Sequence, residues 1–412
     1  MMDLIETTPK MDLAIQDIAH LVEELRAYHA IYSPLLQRRE QRDAAHSSLQ
    51  GLLATLPRKS IEPMVLAVDG VAPKAVRAMQ SCISEGQWND ARLLHQHWQE
   101  VEVDLGAADG VLMVDGSDFP KQGSHSVGVK RQYCGELGTR ANCQAGVCVG
   151  SVSSQGYTVL DRRLYVPVEW LTDDAYAERR KPCGLPPDLP FKTKPELAQE
   201  MLAAVVQSQA LRCRWVVADE AFGHNPSFLD GVAGLGLWYL AEVPHTTRVW
   251  EARPATHVPP WRGRGRRPQR ERLVGGAPAA RTVLEVAAGL PAEAWTRQTI
   301  KEGSQGPMVA EFAALRVVAV RDTLPGPDVW LVLRRHLETG ELKPYLCHAP
   351  MDTALAKLVH MSGMRWPIET CVEDSKPRLG MGDYEVRSWT GWHHHRTLVI
   401  LAHFFVVRMS LR

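Results

Sequence analysis

Three acidic side chains stand where a hard divalent cation could be held. Asp115 and Asp219 each close a short apolar run, Val111 to Val114 and Trp215 to Ala218, of the kind that fills a buried strand. A carboxylate at a strand's C-terminal end is fixed while the chain turns away, and open α/β sheets keep their sites there. The third acid lies in Met364 to Lys376. Pro367 suits the first turn of a helix, so Ile368 to Lys376 is expected to be helical, with Glu369, Glu373 and Lys376 on one face. A few carboxylates completed by water and phosphate oxygens suit Mg²⁺, and two such ions can drive in-line displacement at phosphorus without a nucleophilic side chain. No nucleophile motif competes: the chain has no GxSxG elbow, no HExxH, no P-loop and no GxGxxG after a strand.

Singly, these signals are weak. Asp and Gly after a strand are ordinary turn residues, and an ExxxExxK face is often merely solvated. Asp118 competes with Asp115, which is preferred because it directly follows the apolar run.

The elements that must position the acids follow from pattern. With 412 residues and 45% hydrophobic content the chain can build two or three domains, and 47 basic against 47 acidic residues leave only local clustering to speak of partners. Residues 10 to 105 show helical periodicity, as in Leu49, Leu52, Leu53 and Leu56, or Leu93, Leu94, Trp98 and Val101. They read either as a packing bundle or as a DNA-binding module using Lys59, Lys74, Arg77 and Gln80. Strands are expected at 142–153 and 157–166 around a Ser154-Gln155-Gly156 turn, then a capped helix from Thr193, a strand ending at Asp219, and another at 237–243. This order describes an α/β protein with a mixed sheet and flanking helices.

From His245 to about Pro350 the composition shifts, with short β-like runs at 311–320 and 329–334. Arg262, Arg264, Arg266, Arg267, Arg270 and Arg272 lie within eleven residues spaced by glycines, a pattern suited to phosphate backbones. His393 to His395 point in three directions on any regular element, so a polar or DNA-facing turn is expected there. Eight scattered cysteines form no CxxC pair or zinc spacing. The start, MMDLIETTPK, lacks a signal-peptide pattern, and no apolar run is long enough to span a bilayer, so a cytoplasmic protein with no membrane partner is expected.

Together the three acids, the sheet order and the long insertion resemble the DDE transposases of bacterial insertion sequences, and specifically the branch with the YREK signature. Arg365-x3-Glu369-x6-Lys376 matches its R, E and K spacing, and further resemblance lies in 114–135, in ADEAFG at 218–223 and in 384–398. The resemblance implies a ribonuclease-H-like core at 107–243 and 351–412, a β-rich insertion at 244–350, and a helical N-terminal DNA-binding domain at 1–106. It implies Asp115, Asp219 and Glu369 as catalytic metal ligands for two Mg²⁺ ions, which Mn²⁺ can replace, with Arg365 and Lys376 on DNA phosphates. Its partners would be transposon-end and target DNA, bound by a homodimer in the bacterial nucleoid. Ser362 stands where the signature has tyrosine, and Gly116, Ser117 and Asp118 depart from the usual residues after the first Asp. A non-catalytic DNA-binding descendant and a metal-dependent nuclease without a joining step are the competing readings.

Overall fold

The computed structural model describes residues 15–412 apart from 72, 262, 265 and 302–305, and the side chains of 15–19 and 301 are also outside it. Five helices come first: α1 (Ile15–Tyr32), α2 (Arg39–Leu53), α3 (Ile61–Asp69), α4 (Pro73–Ser84) and α5 (Asp90–Leu105). Antiparallel strands β1 (Val111–Pro120), β2 (Lys130–Cys134), β3 (Thr139–Ser153) and β4 (Gly156–Tyr165) follow, then helices α6 (Val168–Thr172), α7 (Ala177–Arg180) and α8 (Lys194–Ser208). Thr193 caps α8, accepting from the Glu196 amide while the Glu196 carboxylate accepts from the Thr193 amide at 2.7 Å.

Next come β5 (Trp215–Ala218), α9 (Glu220–Gly223), α10 (Pro226–Gly234), β6 (Trp238–Glu242), β7 (Arg248–Trp250), β8 (Thr256–His257), β9 (Arg272–Leu273), β10 (Arg281–Thr282) and α11 (Val283–Ala288). Four longer strands close this region: β11 (Thr296–Lys301), β12 (Met308–Arg321), β13 (Leu324–His336) and β14 (Leu342–His348). The chain ends in α12 (Leu355–Gly363), α13 (Trp366–Arg378) and α14 (Trp389–Ser410).

Two compact units result. One holds the chain through Cys213 together with Trp366–Arg412, and the other holds Arg214–Arg365. In the first, β3 pairs antiparallel with β1, β2 and β4. In the second, β5 and β6 are parallel, whereas β6–β14, β14–β13, β13–β12 and β12–β7 are antiparallel, so this sheet is mixed. The fold is α/β, compatible with a DDE nuclease; among the described residues no helix is long and apolar enough to cross a membrane.

Helix α14 shows why the N-terminal helices fall in the first unit with β1–β4. It is buried on nearly every side from Gly391 to Phe405, so it must be covered all round. Strand β4 covers one side, and α2, α4 and α5 pack on others. The Tyr28 hydroxyl of α1 donates to the Leu401 carbonyl at 2.8 Å. The N-terminal helices are therefore part of the same core as β1–β4. Lys59, one of the residues considered for DNA contact, is buried, its ammonium donating to the Leu52 carbonyl at 2.6 Å and to the Arg378 carbonyl; Lys74, Arg77 and Gln80 are exposed.

The same burial corrects the expectation of a DNA-facing turn at His393 to His395. All three lie inside α14, where their ring nitrogens face carbonyl oxygens of Trp389 (His393), Ile83 and Trp88 (His394) and Gly380 (His395). Burial, aided by nearby arginines, pushes His393 and His395 down to about 3. His394 is pulled both ways: burial lowers it to about 4, yet both its ring nitrogens face carbonyls, which only an imidazolium could satisfy together.

Arg162 ties this core together at 2% exposure. Its guanidinium donates to Asp90 of α5, to the His393 carbonyl at 2.7 Å and Thr397 hydroxyl at 2.6 Å of α14, and to buried Asp161 at 3.3 Å. Removing it leaves Asp90 without its cation and Asp161 with Arg163 alone. We expect Arg162→Met to cost about 3–5 kcal/mol in urea denaturation; a change under about 1 kcal/mol would show that the carboxylates do not depend on it.

Candidate active site

Asp115 belongs to a strand that continues past it. The Asp-Gly-Ser-Asp sequence suggested a turn, but β1 stays paired with β3 from Val111↔Val152 through Asp115↔Cys148 to Pro120↔Cys143. Cross-strand pairing overrides the turn preference of these residues. Asp115 is thus mid-strand, half-buried, with its Oδ1 accepting from the Gly116 amide at 2.8 Å.

Side chains alternate along a strand, so Met113, Asp115 and Phe119 share one face and Asp118 takes the other. Helices cover both. On Asp118's face, its Oδ2 accepts from the Gly135 amide at 2.7 Å and Lys194 of α8 lies 3.7 Å away. On Asp115's face lies α13: a Cβ on Gly150 would meet both Met113 Cε at 3.0 Å and Ile368 Cδ1 at 3.4 Å. Alternation therefore selects Asp115 over Asp118 for the α13 side.

Helix α13 buries Pro367, Ile368, Cys371, Val372 and Ser375. Glu369 follows Ile368 in the first turn and is half-buried, while Glu373 is exposed. The unpaired amides of a helix start favour a negative group there. Lys376 is ion-paired to Glu136 at 2.5 Å and sits 5.1 Å from the Phe119 ring centre. Nothing in the sequence pairs residues 240 positions apart, so this contact was not foreseen.

Asp219 and Arg365 belong to the other unit. Asp219 directly follows β5 and caps α9, accepting from the Phe222 amide at 3.3 Å. The ADEAFG stretch ends in a close approach: a Cβ on Gly223 would lie 1.9 Å from the Glu242 carbonyl oxygen, so only glycine lets α9 lie on β6. Burial raises the Asp219 carboxyl above its usual range; the Arg365 guanidinium and the Phe222 and Ala221 amides work against that, and Glu242 adds to it. Glu242 ends its strand just as Asp219 follows β5, a parallel the strand LWYLAEV offered and the sequence reading passed over.

The arginine-rich segment spans the ends of a two-stranded ribbon in this unit, with Thr256↔Leu273 and His257↔Arg272 as its rungs. Arg264, Arg266, Arg267, Arg270 and Arg272 are all exposed, and Arg267 stacks 5.8 Å from the Trp261 ring centre; Arg262 lies outside the described residues.

The structure therefore holds Asp115 and Glu369 in one unit, with α13 on Asp115's face, and Asp219 with Arg365 in the other. Among the described residues no group of three His, Cys, Asp or Glu side chains is assembled for a metal. The donor chemistry still fits a hard cation: all three acids offer carboxylate oxygens, and at Asp219 burial opposes a charge that a cation would stabilise.

Comparison with known proteins gives the family. The model of the DDE superfamily endonucleases matches residues 32–307, and the chain belongs to that family. The matched span contains Asp115 and Asp219 and ends before α13. The chain is also 25% identical over 210 residues to a probable transposase for insertion sequence element IS701 from Microchaete diplosiphon. That match covers 50% of each protein, so the chain spans about half the length of this relative.

Asp219 makes a stability test. Its raised carboxyl favours the folded state below the ordinary value of 3.8 and penalises it as pH rises through the folded value. Asp219→Asn removes the penalty and keeps a capping oxygen. We expect its melting temperature to match or exceed that of the parent at pH 7, and to lose that advantage near pH 3; a lower value at pH 7 would contradict the assigned burial cost.

Proposed function

We propose that this chain is a DNA transposase that cuts at transposon ends and joins the freed 3′ ends to target DNA by in-line phosphoryl transfer, with Asp115, Asp219 and Glu369 as its catalytic acids. The observation that carries the reading is the pairing of family membership with Asp115 and α13 on one face of β1. The match to a probable insertion-sequence transposase supports it. When bound, two Mg²⁺ ions, or Mn²⁺ in their place, would polarise the scissile phosphate and lower the pKa of the attacking hydroxyl or water.

The chain's own residues supply the rest. Asp115 is fixed by the β1–β3 ladder, and Glu369 by the first turn of a helix whose other side is buried. Arg365 brings positive charge to Asp219, and the same guanidinium suits a phosphate oxygen. Lys376 would exchange its surface carboxylate, Glu136, for a DNA phosphate. The exposed arginines of the ribbon would grip the duplex backbone, and the exposed Lys74, Arg77 and Gln80 leave the N-terminal helices a DNA-facing surface. Two ends must be held at once, so the working form would be a homodimer on DNA, in the bacterial cytoplasm.

Two measurements test this. Purified protein with end DNA and Mg²⁺ should cleave and join strands, and Asp115→Asn, Asp219→Asn or Glu369→Gln should each lower the rate by at least about 100-fold, the upper range for losing a mere supporting contact to a metal. Cleavage without joining would make the chain a nuclease, and binding without cleavage a non-catalytic descendant. Separately, replacing the six arginines from Arg262 to Arg272 with glutamine should flatten the slope of log affinity against log salt by up to about 5. An unchanged slope would make the ribbon a bystander.

A further inference from the structure

A cavity of about 620 Å³ opens in the first unit, and none of the three acids lines it. It is of the size that binds small molecules, roughly 300–1,000 Å³. Its walls are the loop before α5, the starts of α5 and α14, Asp161 to Arg163 of β4, and Ala204 of α8.

Three indoles face it. Trp88 is held rigidly, its ring stacked on His394 at 3.5 Å and its indole N–H donating to the Cys82 carbonyl at 2.9 Å. Trp98 is tied to the Leu160 carbonyl at 3.0 Å. Trp389, the first residue of α14, is only half-buried; its backbone amide donates to the Cys183 carbonyl at 2.7 Å, and its indole N–H makes no hydrogen bond to any described residue. Fixed aromatic faces of this kind accept planar rings.

The polar side of the cavity is equally specific. Arg162 is ion-paired to both Asp90 and Asp161. Arg163 differs: its Nη1 donates to Asp161 at 2.6 Å and to the Arg162 carbonyl at 2.9 Å, while Nε and Nη2 make no hydrogen bond to any described residue and the side chain is 31% exposed. A guanidinium with one edge anchored and the other open is suited to a phosphate. The starts of α5 and α14 add the partial positive charge of two long helices.

We propose that this cavity binds a nucleotide, with its base against Trp389 and its phosphate at Arg163. The nucleotide is either free in solution or an unpaired one at a DNA strand end. None of Asp115, Asp219 and Glu369 lines the site, so it is tested without divalent metal and without reading cleavage.

In EDTA, the full chain is titrated with deoxynucleoside monophosphates by calorimetry, and by fluorescence anisotropy with a blunt duplex and the same duplex bearing a short single-stranded overhang. Free-nucleotide binding weakened about tenfold by Trp389→Leu and by Arg163→Gln, and largely kept by Trp389→Phe, would establish a mononucleotide site. Overhang DNA binding about tenfold tighter than blunt DNA, with the difference erased by Trp389→Leu, would establish a strand-end site. Melting temperatures confirm that the variants fold. Absence of both effects, or either effect unchanged in Trp389→Leu and Arg163→Gln, overturns the proposal, and neither result bears on whether the acids cut DNA.

Discussion

The pairing of β1 with β3 is the constraint on which the rest depends. Its register runs unbroken from Val111↔Val152 to Pro120↔Cys143 and assigns every side chain of β1 to a face. A slip of one residue would exchange Asp115 and Asp118, handing the first to Lys194 and the second to α13. Gly150, opposite Met113, lets the helix come close: a side chain there would strike the Thr158 carbonyl at 2.9 Å as well as Met113 and Ile368. The position of Asp115 is thus decided by hydrogen bonds made across ten rungs rather than by the few residues around it.

A second constraint is charge buried beneath α14. This helix is covered on nearly all sides, and the cost of placing Arg162 against it is offset by oxygens drawn from α5, β4 and α14 itself. Elements far apart in sequence become one cooperative body for that reason. The N-terminal helices cannot be lifted off without exposing α14 and stranding Asp90.

Much of the architecture was legible because its signals are local. Apolar runs marked β1, β5 and β6, the Thr193 capping box marked α8, and Pro367 marked the start of α13. The failures are all non-local. Gly116 to Asp118 read as a turn because pairing with β3 is invisible from β1; the three histidines read as surface because nothing near them reveals that α14 is enclosed. Lys59 stayed open between packing and DNA contact because what decides it is distant: its ammonium is held by carbonyls of Leu52 and Arg378, the latter 319 residues away. Residue types around the acids could suggest chemistry, but the partner of Lys376 and the neighbour of Asp219 at Glu242 required the fold.

Two half-buried aspartates differ in how their charge is matched. Burial pushes Asp90 up, yet Arg162, with the nearby histidines, outweighs it and holds the carboxyl at about 2, so the charge is matched and the ion pair supports the fold. At Asp219 burial wins: Arg365 and two backbone amides only partly offset it, and Glu242 adds like charge. A purely architectural pair would be built as at Asp90. A carboxylate kept short of positive charge is locally costly to the folded state, and such costs concentrate where a protein must later accept a ligand of opposite sign. The shortfall at Asp219 is of the kind a cation would make good, so burial there and the ion pair at Asp90 set two carboxylates of one chain in opposite electrostatic settings.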